Sequence, residues 1–318
     1  MPSSFKNQTI NNNKENKMKK ALVALLSIAI AFTALAPAQA QAQDQKVLAI
    51  IDTAINSKSF PSIIHEACVT SVKAVSSNMA CPNGKKTMEG PGAAAAPWPT
   101  GVSGWQNNAT YHGDRMVKAA LVSNPNIKIV FVRYADVNSK GNSINNPDAL
   151  VEAIKWVSEN ASKYSIDAVS ISQSSVSKNN LDACNGTGTL AREGLVAINA
   201  ISFLNASNIP VFVATGNDRR RDVVGFPSCI NGAIGVGALW TDSQLELETN
   251  TGPGLDMVEL GKWNIVKIDG QTIGTSGSSV AAVVSAASYV NRNTFKTFGE
   301  YLASLKKITI GTASYIRN

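Results

Sequence analysis

Short apolar runs alternate with longer amphipathic segments along most of this chain. Uninterrupted apolar runs are typical of strands buried on both faces of a sheet, and apolar residues at three- and four-residue spacing indicate helices. The pattern predicts strands at residues 46–51, 127–134, 167–174, 209–217 and 232–239, and helices at residues 112–122, 147–160, 190–207 and 276–290. This succession predicts a single α/β domain, a doubly wound and mostly parallel sheet with helices on both faces.

Two segments do not follow the alternation. Residues 56–111 show no sustained period, and Pro, Gly and Ala dominate residues 91–105, so we predict a surface excursion there. The tail, residues 294–318, holds a helix-like stretch followed by a strand-like one. It is interpreted as a peripheral hairpin or strand without an assignable place in the sheet.

The amino-terminal segment has the pattern of a secretory signal. Met18, Lys19 and Lys20 precede an apolar run at residues 21–36, and Ala38 and Ala40 form an AxA cleavage pattern. We therefore predict an extension and signal peptide at residues 1–40, with Met18 as an alternative start, and a mature domain at residues 41–318. The location would be secreted or periplasmic. The alternative is an uncleaved anchor, but the run is short for a bilayer and no later run is longer.

The net charge reflects this segment as much as the mature domain. Without residues 1–40 the formal charge falls from +7 to +3. The basic balance therefore gives no argument for a nucleic-acid partner.

All four cysteines lie beyond the predicted cleavage site. An even number in an exported chain indicates two disulfides, and the sequence leaves three pairings open. Proximity along the chain favours Cys68 with Cys81 and Cys184 with Cys229. A zinc site is the competing interpretation, but the chain has no CxxC pair and only two histidines.

Candidate chemistry lies at the start of the last predicted helix and at two strand ends. Thr275, Ser276 and Ser278 crowd that helix start, where hydroxyls either cap the free amides or act as nucleophiles. Asp52 and Asn217 stand at the carboxyl ends of predicted strands, and these ends share one edge of a parallel sheet. The available bases are His65, which we expect on the surface, and His112, which precedes a glycine.

Four segments carry a family resemblance in the order Asp, His, Asn, Ser. They read IIDTAI around Asp52, HGDRMVKA around His112, PVFVATGND around Asn217 and GTSGSSVAA around Ser276. They resemble the subtilisin-like serine peptidases, whose segments read roughly DTGI, HGTHVAG, AAGN and GTSMASP. The similarity runs from Lys46 to about Val290, and four motifs in order are far more specific than any one of them.

The resemblance implies a role for each of these residues. Ser276 would attack a peptide carbonyl, His112 would take its proton, and Asp52 would orient His112. Asn217 would hold the oxyanion together with the backbone amide of Ser276.

The resemblance also implies where a protein or peptide substrate would bind. Ser172, Gln173 and Ser174 would pair with the extended substrate as an added strand. Gly225 would leave the main specificity pocket open for a large apolar side chain.

Several positions depart from the family pattern: Ala54, Asp114, Arg115, Met116, Ser174, Ser175 and Val280. Ser174 and Ser175 place side chains where the family has paired glycines. The departures keep a second function open, a weakly active or inactive peptide-binding or adhesion module. Ester hydrolysis is a weaker alternative, since no GxSxG elbow surrounds Ser276.

The short stretch between Ala40 and Asp52 leaves no room for the inhibitory pro-domain of many relatives. An external chaperone or inhibitor would then be a partner of the protein. No cofactor is expected. Calcium sites are common in the family and a structural calcium stays open, although no acidic loop matches one.

Overall fold

The computed structural model describes residues 46–71, 80–95, 109–134, 136–137, 143–144, 146–266, 272–292, 297–310 and 313–317. These residues belong to one compact unit, Gln45–Asn318. The predicted signal segment and its cleavage site fall outside the described residues, so both stay predictions.

A largely parallel sheet forms the centre of this unit. In the described residues its strand order is β14-β15-β11-β9-β8-β7-β1-β4-β2-β3, with β10 paired to β9. Its strands are β1 (Val47–Asp52), β2 (Ile63–Val69), β3 (Thr87–Glu89), β4 (Lys128–Arg133), β7 (Ile166–Ile171), β8 (Val211–Ala214), β9 (Ile234–Thr241), β10 (Gln244–Leu245), β11 (Met257–Leu260), β14 (Lys306–Ile310) and β15 (Ala313–Arg317). Strands β2, β4, β1, β7, β8, β9 and β11 run parallel, which confirms the predicted fold class.

Two small hairpins lie outside this sheet. They are β5 (Asp136–Val137) with β6 (Ser143–Ile144), and β12 (Lys262–Val266) with β13 (Thr272–Ser276). The second hairpin leads directly into the last long helix.

Helices cover both faces because alternate residues of each central strand point to opposite sides. The described helices are α1 (Ala109–Ser123), α2 (Pro147–Asn160), α3 (Lys178–Ala183), α4 (Ala191–Ala206), α5 (Ser278–Asn291) and α6 (Phe298–Ser304). Ala49 and Ile51 of β1 share a core with α2 and α4. Leu48 and Ile50 share the opposite core with α1, α5 and α6. None of the helices in the described ranges is long and apolar enough to cross a membrane.

Helix α5 is buried on almost every side, as its unbroken apolar sequence predicts. Small residues such as Ala281, Ala282, Ala286 and Ala287 are fully buried, so the helix axis lies close to the sheet. Enlarging such a position would cost about 1–3 kcal/mol through overpacking. The helix starts at Ser278, two residues later than the sequence predicts, because Gly277 before it has a φ of +118°.

The prediction of a surface excursion at residues 56–111 is partly wrong. The segment contains β2, which extends the central sheet next to β4, and β3, which pairs antiparallel with β2. The tail forms a peripheral hairpin, since β14 pairs with β15 and β15 pairs with β11. Both disulfides favoured by proximity are present, with Cα–Cα distances of 5.8 Å for Cys68–Cys81 and 5.7 Å for Cys184–Cys229.

Candidate active site

Asp52 and His112 form a direct hydrogen bond at the carboxyl edge of the sheet. Asp52 ends β1 and is fully buried, while His112 lies in the second turn of α1. The distance between His112 Nδ1 and Asp52 Oδ1 is 2.7 Å. Asp52 Oδ1 also accepts from the amide of Thr53 at 2.6 Å. With Nδ1 donating to the carboxylate, His112 Nε2 keeps a free lone pair.

The neighbouring residues hold this pair in register. The amide of Gly113 donates to Thr53 Oγ1 at 3.1 Å, so the chains next to Asp52 and His112 are joined a second time. A Cβ on Gly113 would lie 2.6 Å from the carbonyl oxygen of Ala54 and 2.9 Å from Phe131 Cζ. Gly113 has no side chain, and α1 can therefore lie directly against the end of β1.

Two departures from the family pattern follow His112. Asp114 is buried and accepts a hydrogen bond from the amide of Asn56 at 2.9 Å. Burial raises the pKa of its carboxyl to about 6. Burial also lowers the pKa of Arg115, and the carboxylate of Asp52 acts in the opposite direction. Arg115 therefore places a positive charge near the buried carboxylate of Asp52.

Ser276 is solvent-exposed and is the last residue of β13, not a helix residue as the sequence predicts. Its register partner in the hairpin is Lys262. The next amide, Gly277 N, donates to the carbonyl of Gly261 at 3.0 Å. The hairpin therefore presents the Ser276 hydroxyl immediately before the amino end of α5.

Asn217 lies next to this turn. Its Oδ1 accepts two hydrogen bonds from Ser278, one from the amide and one from the hydroxyl, both at 3.0 Å. A Cβ built on Gly277 would lie 3.0 Å from Asn217 Nδ2. The amide group thus lies beside the turn that carries Ser276.

A buried asparagine braces the loop that carries Asn217. Asn250 Oδ1 accepts from the amides of Asp218 and Arg220 at 2.9 and 3.0 Å. Its Nδ2 donates to Thr215 O at 3.0 Å, and its own amide donates to Gly216 O at 2.8 Å. The loop after β8 is therefore held at several points.

Two of the predicted substrate-binding residues, Ser174 and Gly225, lie against this loop. Ser174 Oγ donates to Thr215 O at 3.0 Å, and Gly225 N donates to the same oxygen at 2.9 Å. A Cβ on Gly225 would overlap Ser174 Oγ, and one on Gly216 would lie 2.9 Å from it. The Ser174 hydroxyl therefore packs against the backbone of Gly216 and Gly225. Ser172, which is buried, and Gln173 precede it after β7.

His65 and the arginines that follow Asn217 pair with other groups. His65, expected on the surface, is half-buried on β2 and stacks on Tyr164 with ring centroids 4.3 Å apart. Arg219 pairs with Glu248 and Arg220 with Asp222. Within the described ranges, no group of three or more His, Cys, Asp or Glu residues could hold a metal ion.

Sequence reasoning missed two polar residues that build the site. Ser278 was noted only as one of three hydroxyls at a helix start. Asn250 is far from any motif in the chain, and nothing in its local sequence, LETNTGP, marks it.

Several solved structures with the same fold are proteases. The chain is 16% identical to a cold-adapted subtilisin-like serine proteinase, with a TM-score of 0.52 and coverage of 85% of this chain and 87% of that one. It is 15% identical to the prenylagaramide maturation protease PagA, with a TM-score of 0.51 and coverage of 83% and 84%. A protease from Pseudoalteromonas arctica is 17% identical, with a TM-score of 0.51 and coverage of 76% and 75%. These similarities show the fold.

The family follows from a sequence model. No curated protein matches the chain. The model of the subtilase family matches residues 100–312, more than half of the chain, and this range contains His112, Asn217 and Ser276. Family and fold together support a serine protease, and this chain belongs to the subtilase family.

Proposed function

We propose that this protein is an exported serine endopeptidase in which Ser276 is the nucleophile, His112 the general base and Asp52 its orienting carboxylate. The observation that carries the proposal is the 2.7 Å hydrogen bond between Asp52 and His112 at the sheet edge that also bears Asn217. A serine hydroxyl needs such a base, held in one tautomer by a carboxylate.

The packing of α1 against α5 supports the pairing of His112 with Ser276. Ser123 Oγ, at the end of α1, lies 2.9 Å from Ser288 Oγ in α5. Both helices start at the carboxyl edge of the sheet and run back across the same face, so they run parallel to each other. His112 lies 11 residues before Ser123 in α1, and Gly277, next to Ser276, lies 11 residues before Ser288. His112 and Ser276 should therefore lie at the same level of the two helices.

The reaction would proceed in two acyl transfers, first to Ser276 and then to water. Ser276 Oγ attacks the carbonyl carbon of the scissile bond while its proton passes to His112 Nε2. The carbonyl oxygen becomes an oxyanion near Asn217 Nδ2. His112 then protonates the leaving amine as the C–N bond breaks, which leaves the acyl-enzyme. Water attacks this ester with His112 again as the base, and His112 returns the proton to Ser276 Oγ as the ester bond breaks and the acid leaves.

The packing of Ser174 against Gly216 and Gly225 supports a preference for small residues before the cleaved bond. The family resemblance implies that the substrate side chain enters beside Gly225. The Ser174 hydroxyl would limit the size of that side chain. We therefore expect Gly, Ala or Ser before the cleaved bond, in place of the large apolar residue expected from the sequence.

Export rests on the signal pattern at residues 18–40. The two disulfides of the mature chain fit an oxidising compartment, secreted or periplasmic.

Hydrolysis of an unfolded protein by the purified mature chain tests this function. Wild-type protein is expected to cleave it, and Ser276→Ala is expected to lose at least about 10³-fold in rate while its free energy of unfolding changes little, because the side chain is exposed. Equal rates for the two proteins would exclude Ser276 as the nucleophile.

The side chain of Ser174 beside Gly225 also favours the second candidate, a peptide-binding module with little turnover. The same preparation separates the two functions. Peptide binding by a folded wild-type protein that leaves the peptide intact would favour the module.

A further inference from the structure

The side chain of Ser278 forms hydrogen bonds to Gly216 and to Asn217, the proposed oxyanion donor. Ser278 is the first residue of α5 and is fully buried. Its amide and its hydroxyl both bond to Asn217 Oδ1 at 3.0 Å. The amide of Gly216 donates to Ser278 Oγ at 3.1 Å.

The direction of each of these hydrogen bonds follows from chemistry. A backbone amide can only donate, so Gly216 N occupies a lone pair of the Ser278 hydroxyl. The hydroxyl proton is then directed to Asn217. The amide of Ser278 likewise requires an acceptor, so the oxygen of the Asn217 side chain must face Ser278. The Nδ2 group therefore points away from Ser278.

The Nδ2 group lies beside Gly277, the residue that follows the proposed nucleophile. A Cβ on Gly277 would lie 3.0 Å from Nδ2 and 3.1 Å from Oδ1, so the amide group lies against the Gly277 backbone. Gly277 directly follows Ser276. A donor turned away from Ser278 at this point faces the place where the oxyanion would form.

Asn217 needs such support because it is exposed to solvent. An exposed side-chain amide rotates and bonds to water, whereas electrostatic catalysis depends on donors that are already oriented before the charge develops. The family segment GTSMASP has Ala at the position of Ser278, so the hydroxyl is a feature of this chain.

We propose that Ser278 is a positioning residue that holds Asn217 Oδ1 with two donors, so that Nδ2 is oriented toward the oxyanion formed at Ser276. The inference rests on the proposed peptidase function. Ser278 itself touches no reacting atom and acts through Asn217.

A double-mutant cycle tests this role through kcat and KM for one peptide substrate. Ser278→Ala is expected to lower kcat about 10-fold and to leave KM within about twofold, because the donor matters mainly for the transition state. Asn217→Ala alone is expected to lower kcat by about 10²–10³, the magnitude established on subtilisin. In the Asn217→Ala background, Ser278→Ala is expected to have no further effect on kcat.

Ser285→Ala is the matched control. Ser285 is also fully buried in α5, and its hydroxyl has no hydrogen-bond partner within the described residues. Its loss should change kcat less than twofold. If Ser278→Ala does not fold, Ser278→Cys keeps the size of the side chain with a weaker donor, and the same cycle applies.

The outcomes separate the positioning role from the proposed function. An active wild type whose kcat is unchanged by Ser278→Ala would contradict only the positioning role. Equal losses in the presence and absence of the Asn217 side chain would show that Ser278 acts structurally. A folded wild type that cleaves no peptide would overturn the function and the inference together.

Discussion

The carboxylate of Asp114 and the backbone amide of Asn56 form a 2.9 Å hydrogen bond between α1 and the loop that follows Asp52. Burial disfavours the ionised form of this carboxyl and raises its pKa from 3.8 to about 6. The folded state therefore loses stability as the pH rises from about 4 to 6, and the loss persists at higher pH.

Asp114→Asn should remove this loss because the amide keeps an acceptor for Asn56 without a charge. Near pH 4 the variant and the wild type should have similar free energies of unfolding. At pH 8 the variant should be more stable, by at most about 3 kcal/mol for a pKa difference of about two units. Urea unfolding at the two pH values measures the difference. Asp242→Asn, at an exposed carboxyl, should show no such pH-dependent gain.

Ser174→Gly should enlarge the space available to a substrate side chain beside Gly225. The wild type is expected to prefer Ala over Phe before the cleaved bond, since Ser174 Oγ lies against Gly225. In the variant the ratio of kcat/KM for Phe over Ala should rise at least about 10-fold, within the range for small changes in an apolar pocket. Chromogenic peptides that differ only in this residue provide the measurement.

Ser175→Gly is the control for that series. Its hydroxyl accepts a hydrogen bond from Asn180 Nδ2 at 2.6 Å, so it is engaged away from Gly225. The preference of Ser175→Gly between Ala and Phe should equal that of the wild type. An unchanged preference in Ser174→Gly would show that the substrate side chain does not bind beside Ser174.

The two disulfides should contribute unequally to stability. Cys184–Cys229 closes a loop with a sequence separation of 45, and Cys68–Cys81 one with a separation of 13. Chain entropy in the unfolded state predicts a loss of about 4 kcal/mol for replacing the first pair by Ala and about 3 kcal/mol for the second. Denaturant unfolding of the two double variants checks the order. A larger loss for the short loop would indicate that native packing around Cys68 dominates.

The central fold was predictable because its strands and helices have strong local patterns. Helix α2 begins at Pro147 and ends at Asn160 as predicted, since proline suits a first turn and Asn146 caps the amide of Asp148. Strands β2 and β3 were missed. Their sequences mix polar and apolar residues, and their pairing with β4 and with each other depends on partners distant in the chain.

The candidate site was predictable only where a motif marks it. Asp52, His112, Asn217 and Ser276 stand in recognisable segments, and the structure joins Asp52 to His112 directly. The predicted helical backbone at Ser276 was wrong, because the positive φ of Gly277 delays the start of α5. Ser278 and Asn250 act through hydrogen bonds to residues distant in sequence, which no local pattern reveals.

Covalent labelling by a fluorophosphonate probe tests the central claim most directly, because the probe reacts with a serine only when a base activates it. Peptide mapping of the labelled mature protein by mass spectrometry identifies the modified residue. We predict one modification, on Ser276, which disappears in Ser276→Ala and falls at least about 10³-fold in rate in His112→Ala. A folded wild-type protein that stays unlabelled, or a label on another serine, would contradict the account.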